Sequence, residues 1–298
     1  MDLPVSGIVL VLKQSGLLLF SLLPYVLAGA AAGALLKKAS LERLHMVLSR
    51  VAPIGAVPVA AVSGAVSPLC TLGSVPLVTG FISKGLTASA GVAFLVTSSI
   101  ITPQMVLIAA GVMGWRIACL QILGGLLLGS IAGWGAMALS RSGSSLLRAD
   151  IRDPEAHAGK STRPLIIIFL EQLEYVLFFL LVGVVVSQAL SVFLPLESWA
   201  ESLDRRSFLA VAAGALLSVP AYVCGGAALP VLGSLHDSGL GEGIIIAFLI
   251  CGPATRVQSI AAVAKLFNRR GLVLYVAFIL IFSILYGFGV GFLDSFRG

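Results

Sequence analysis

Apolar residues in this chain do not alternate with polar ones; they run on over long stretches that end abruptly in short polar or basic segments. Such runs occupy 15–36, 88–112, 116–138, 165–194, 242–264 and 272–294. Each reaches the ~20 residues that carry an α-helix across the hydrocarbon of a bilayer. Strands of a membrane barrel would alternate over ~10 residues instead. The pattern therefore predicts an all-α integral membrane protein with about six full crossings. Two more apolar segments, 53–84 and 207–238, are interrupted. The first holds Pro53, Pro58, Pro68 and Pro76 with Gly55, Gly64, Gly73 and Gly80; the second holds Pro220, Gly225, Gly226, Pro230 and Gly233. A proline inside a helix removes a backbone hydrogen bond, which is costly in lipid unless protein or water satisfies the freed group. These segments are expected to be broken helical hairpins lining an interior cavity, for about eight to ten segments in all.

The pattern is also duplicated. Laying 67–95 over the segment that ends at Leu249 pairs Cys70 with Cys224, Pro76 with Pro230 and Gly85 with Gly239, a constant offset of 154 positions. The triplet Ala93-Phe94-Leu95 then falls on Ala247-Phe248-Leu249, and Gln104 on Gln258. Two apolar units broken by Pro and Gly in the same places are the sequence mark of a secondary transporter with its site between the repeats. Residues 1–139 read as the first membrane repeat, 140–163 as a polar linker and 164–298 as the second repeat. Whether a hairpin is re-entrant or spans fully, each half has an odd number of crossings, so the repeats should have inverted topology.

Composition agrees. With 58% hydrophobic and 11% charged residues the chain would expose too much apolar surface to be a soluble globule. The net charge of +6 carries no nucleic-acid meaning here, because the Lys and Arg residues sort by loop. Basic residues gather at 37–50, 140–163 and 265–270, which predicts cytoplasmic loops in an inner-membrane, multi-pass protein with both termini outside. The first apolar run reads as a retained helix rather than a signal peptide. The four cysteines avoid polar, extracellular-looking segments, so no disulfide framework is expected.

Candidate chemistry gathers at the breaks. Cys70 and Cys224 are repeat mates that a pseudo-twofold axis would bring together, and paired thiolates choose soft ions or thiophilic metalloids. Cys251 follows in a Cys-Gly-Pro-Ala-Thr break that includes Gly252 and Pro253; Cys119, in an unbroken helix, should pack as a small hydrophobe. Gln104 and Gln258 could hydrogen-bond between helices or to a substrate. Arg256, embedded in an apolar run, needs a carboxylate such as Glu171 or Glu174, backbone carbonyls or an anionic substrate. Glu171 and Glu174 share one helix face and are candidates for proton coupling, or lie wet at the interface. Trp115, Trp134 and Trp199 fall near predicted helix ends as interfacial aromatics. No His-rich metal spacing or nucleophile–base pair is visible, so neither an enzyme nor a resident cofactor is expected.

At these residues the chain resembles the ArsP-like family of predicted permeases, which includes efflux permeases for trivalent organoarsenicals and relatives linked to copper or zinc export. The likeness rests on Pro68-x-Cys70-x-x-Gly73-x-x-Pro76 and on the run from Tyr222 through Cys224, Gly225, Gly226 and Pro230 to Thr255. It covers most of both repeats. Family members often carry a second cysteine in the first motif, and Asn where this chain has Arg256. The resemblance implies export of a thiophilic metal or organometalloid, with Cys70 and Cys224 as its ligands. Two thiols suit a mono-substituted organic arsenical, and Cys251 is the evident route to three.

The leading expectation is a permease working by alternating access between the repeat hairpins. No GxxxxGK[ST] nucleotide loop occurs, so coupling would use an ion gradient, the potential or a separate subunit. The first alternative keeps the architecture and changes the cargo to a small anion, bound by Arg256 and helix N-termini. The second is a non-transporting thiol-redox or scaffold subunit, against which the lack of a CxxC motif speaks. The expected partners are the bilayer and a small substrate, with a homodimer left open.

Overall fold

The computed structural model describes residues 53–67, 86–141, 208–221, 239–256 and 267–295, with short pieces at 74–75, 78–79, 81–82, 229, 232–233, 235–236, 259–260 and 263–264. Its seven described elements are all α-helices: α1 (Pro53–Val66), α2 (Ala88–Ile100), α3 (Pro103–Met113), α4 (Trp115–Arg141), α5 (Phe208–Ala221), α6 (Glu242–Thr255) and α7 (Arg269–Ser295). The predicted runs 15–36 and 165–194, and nearly all of the linker, lie outside the described residues.

Helices α4 and α7 are 27 residues each, or ~40 Å, against a hydrocarbon layer of ~30 Å. They contain the predicted runs 116–138 and 272–294, and each is long and apolar enough to cross a membrane alone. Large apolar side chains stand exposed along both, among them Leu123, Leu127 and Ile131 on α4 and Val273, Ile281 and Leu285 on α7. Lipid is the solvent that makes such a surface stable. The shorter α2 and α6 are the reverse. Residues 89–100 and 243–255 are buried without exception, and a helix apolar on every side belongs in an interior.

Hydropathy alone overestimates the length of these two inner helices. The run 88–112 divides into α2 and α3, bent by 41° at the break. Pro103 is the cause: its ring disfavours helical geometry in the preceding residue, and Thr102 is extended at φ −118°, ψ 140°. In the run 242–264, α6 ends at Thr255, where Arg256 has φ −57°, ψ 150°, and helical hydrogen bonds resume from Ile260 N–H to Arg256 O. Pro58, by contrast, sits inside α1 without ending it. A proline at 58 leaves the carbonyl of Ile54 without its usual donor, and Trp134 Nε1 from α4 donates to that oxygen at 3.3 Å. Trp134 is thus more than an interfacial aromatic.

The 154-residue offset recurs in the described helices and several of their contacts. Shifted by 154 residues, α4 coincides with α7 end to end, while α1 and α2 coincide with α5 and α6 to within one residue. Helix α2 packs on α1 and α4 as α6 packs on α5 and α7. A Cβ built on Gly133 of α4 would meet Val57, Ala93 and Ser89; one built on its mate Gly287 would meet the mates of those residues, Val211, Ala247 and Gly243. The Trp134–Ile54 contact has as its counterpart an edge-to-face pair, Phe288 with Phe208, at 5.7 Å. Ahead of α2 and α6, Leu86 N–H donates to Phe81 O and Leu240 N–H to Leu235 O, both at 2.9 Å. Gly239, beside the second of these, has φ +93°, a conformation that favours glycine.

Where the equivalent helices α4 and α7 touch, they run in opposite directions. Arg116 near the start of α4 pairs with Asp294 near the end of α7 at 2.8 Å, and the Tyr286 hydroxyl donates to Leu120 O at 3.0 Å.

Candidate functional site at the helix breaks

A helix that ends inside a membrane protein leaves its last carbonyls without intrahelical donors, and each must find a partner or cost free energy. At the end of α6 the partners are specific. Arg256 N–H donates to Gly252 O at 3.1 Å, and the Ser259 hydroxyl to Pro253 O at 2.8 Å. The Tyr275 hydroxyl, from α7, reaches Ala254 O at 3.5 Å. Arg256 Nε in turn donates to Ser259 Oγ at 3.1 Å. The break is a side-chain-capped helix end, with an arginine following its negative pole.

One turn back, Cys251 is wholly buried. Its Sγ lies 3.6 Å from Thr255 Oγ1; Ser218 on α5 and Ser283 on α7 stand near the thiol with their hydroxyl hydrogens committed to their own helices. Ser218, Thr255 and Ser283 are themselves buried, and each donates to a carbonyl of its own helix: Ala215 O at 2.6 Å, Cys251 O at 2.8 Å and Ile279 O at 2.7 Å. Three helices thus bring hydroxyls to one thiol. Their oxygens can accept from the thiol or, after rotation, donate to a thiolate. Charge patterning along the sequence gives no sign of these serines, since Ser and Thr are common in membrane helices. The repeat offset does: Thr97 stands in the first half where Cys251 stands in the second, against Gly129 where the second has Ser283.

The first-half break repeats the capping with different chemistry. Ile101 N–H donates to Thr97 O at 2.8 Å. Gln121 of α4, the mate of Tyr275, donates from Nε2 to Ile100 O at 3.4 Å. Ser98 on α2 pairs with Ser74 at 3.0 Å, and both are buried. Gln104 lies in the first turn of α3, just past the break.

Of the residues expected to carry chemistry, the structure therefore places Cys251, Gly252, Pro253 and Arg256 within one stretch at the end of α6, and Pro220 one residue from the end of α5. Cys70, Cys224, Gln258, Glu171, Glu174, Pro68, Gly73, Pro76, Gly225, Gly226 and Pro230 lie outside the described residues. Among the described residues no three His, Cys, Asp or Glu side chains gather. Cys119 is exposed on α4 rather than packed inside, which costs little where the outside is also apolar.

One cluster carried no sequence signal at all. Arg116, at the start of α4, donates to Glu242 at the start of α6 at 3.0 Å and to Asp294 on α7 at 2.8 Å. It ties three helices from both halves at one end of the bundle, where α4 meets both α6 and α7.

The family model described as a predicted permease, ArsP_1, matches residues 14–292. No curated protein and no solved structure matches the chain.

Proposed function

This chain belongs to the ArsP_1 family of predicted permeases, and we propose that it exports a thiophilic metal or trivalent organoarsenical across the inner membrane by alternating access. Family membership and the apolar helices make it a membrane transporter. The observation that carries the cargo reading is Cys251: a wholly buried thiol on a proline-bearing helix, with the Thr255 hydroxyl 3.6 Å from its sulfur. A thiolate is the ligating form and prefers soft ions; burial opposes its charge, and hydroxyls that rotate from their helix carbonyls to the sulfur would offset part of that cost. Cys70 and Cys224 complete the proposed ligand set.

Alternating access rests on the proposed inverted repeat, 1–139 against 164–298, joined by a cytoplasmic linker at 140–163. The matched contacts and the antiparallel meeting of α4 with α7 support it. Glu171 and Glu174 are the proposed proton carriers. Gln104 and Gln258 are proposed to hydrogen-bond the cargo or the facing half.

The test is resistance of a sensitive bacterial host to trivalent methyl- and phenylarsenicals. The parent chain should protect, and Cys70→Ser, Cys224→Ser and Cys251→Ser at equal membrane expression should not. No protection by the parent would overturn the cargo reading. A second reading, a small-anion permease, is favoured by the described hydrogen bond of Arg256, which goes to the neutral Ser259. Arg256→Asn separates the two, since anion transport should fail while thiol-dependent resistance survives.

A further inference from the structure

The two halves complete their broken helices with different charge. In the second, the negative pole at the end of α6 is met by a fixed cation: Arg256 follows the last helical residue, two positions after the Ala254 whose carbonyl the Tyr275 hydroxyl caps. In the first, the residue equivalent to Arg256 is the neutral Thr102, and the cap equivalent to Tyr275 is Gln121. Gln121 is wholly buried, and its Oε1 has no hydrogen-bond donor. The amide cannot simply be turned over, because Oε1 would then face the Ile100 carbonyl that Nε2 now serves. A buried amide oxygen left without a partner costs about 1–3 kcal/mol, and it lies beside a carbonyl-rich helix end that already carries partial negative charge.

We propose that Gln121 Oε1 and the C-terminal carbonyl end of α2 bind a monovalent alkali cation, Na⁺ in the first instance, which supplies in the first half the charge that Arg256 supplies in the second. The ligand class follows from the donors. Amide and carbonyl oxygens are neutral and do not take up a proton at ordinary pH, so the site is not a proton carrier. Divalent ions call for carboxylates. Unwound carbonyls and half-helix C-termini are the groups that hold monovalent cations in transporters with broken helices. Binding is a property of the site alone; a link between the bound cation and transport, beside the proton carriers proposed above, rests on the permease reading.

The test uses the purified full-length chain in lipid nanodiscs and ²²Na⁺ binding at constant ionic strength, with N-methylglucamine chloride as the replacement salt. The parent should bind ²²Na⁺ saturably, displaced by unlabelled Na⁺. Gln121→Met, which removes the oxygen, and Thr102→Arg, which installs the fixed charge of the other half, should each weaken binding by at least about tenfold. Tyr275→Phe should bind like the parent. Absence of saturable binding to folded parent protein, as when a water satisfies Oε1, overturns the proposal, and so does binding as tight as the parent's in both variants. If Gln121→Met fails to fold, Thr102→Arg decides. Arsenical resistance is read separately, so failure of the cation site leaves the cargo reading standing or falling on its own assay.

Discussion

Replacing Gly287 by alanine puts a methyl group where α7 and α6 touch. Its Cβ would lie 2.6 Å from Gly243 O, 2.8 Å from Ala247 Cβ and 3.1 Å from Val211 Cγ1, where real Cβ contacts essentially never fall under 3.0 Å. Backbone cannot rotate aside as a side chain can, so the helices must separate, at an overpacking cost of roughly 1–3 kcal/mol. The mate Gly133 is also tight, but its closest neighbour is Val57 Cγ1 at 2.6 Å, with Ala93 Cβ at 2.9 Å and the backbone oxygen Ser89 O further off at 3.0 Å. A valine methyl can shift, so Gly133→Ala should cost the smaller share of that range. Two residues on, Gly135 and its mate Gly289 have nothing within 4 Å of a built Cβ. Alanine there should be neutral or stabilising by about 0.5–1 kcal/mol through backbone entropy. Thermal unfolding in detergent, read by monodisperse elution after heating, checks the series. At about 2–4 °C per kcal/mol, Gly287→Ala should lose about 2–12 °C and Gly289→Ala should lose nothing. Equal losses at Gly287 and Gly289 would refute the packing argument, and with it the claim that α6 is held against α7 by backbone contact.

Arg116→Ala should cost under about 1 kcal/mol per ion pair, because the Arg116 side chain is 45% exposed and solvent screens the pairs; a larger loss of unfolding temperature that persists in high salt would contradict this. Tyr275→Phe should cost about 0.5–1 kcal/mol, the low end for a hydrogen bond, because its contact to Ala254 O is long at 3.5 Å. Thermal unfolding of the variant reads it. Thr255→Val, which removes the hydroxyl nearest the Cys251 thiol, should slow labelling of Cys251 by a membrane-permeant maleimide in a background lacking the other cysteines. Unchanged labelling would mean that this hydroxyl does not stabilise the thiolate.

The long helices were legible in the sequence because continuous apolarity over a bilayer's thickness has one helical solution: 116–138 and 272–294 lie within α4 and α7. The interruptions were legible as Pro and Gly, but their effect was not uniform. Pro103 ends a helix through its restriction on Thr102, whereas Pro58 is absorbed because Trp134 arrives from another helix to satisfy Ile54 O. Hydropathy cannot see that difference, since it depends on a residue 80 positions away. Cys251 and Arg256 stood out as polar residues in an apolar run. The neighbouring Ser218, Ser283 and Ser259 were not marked by charge patterning, because a serine in a membrane helix commonly bonds its own backbone and gains meaning from what packs beside it. Gln121 shows the same limit, as its polarity was plain but its unpaired oxygen required the end of α2 to be placed next to it.

The central claim is transport of a soft cargo through a buried thiol, and its most direct measurement is uptake of trivalent phenylarsenical into proteoliposomes holding the purified chain. The account predicts saturable transport by the parent and a loss of at least about tenfold in Cys251→Ser, with unfolding temperature and elution profile unchanged. Transport that survives Cys251→Ser at the parent's rate, or no transport by folded parent protein, would contradict it.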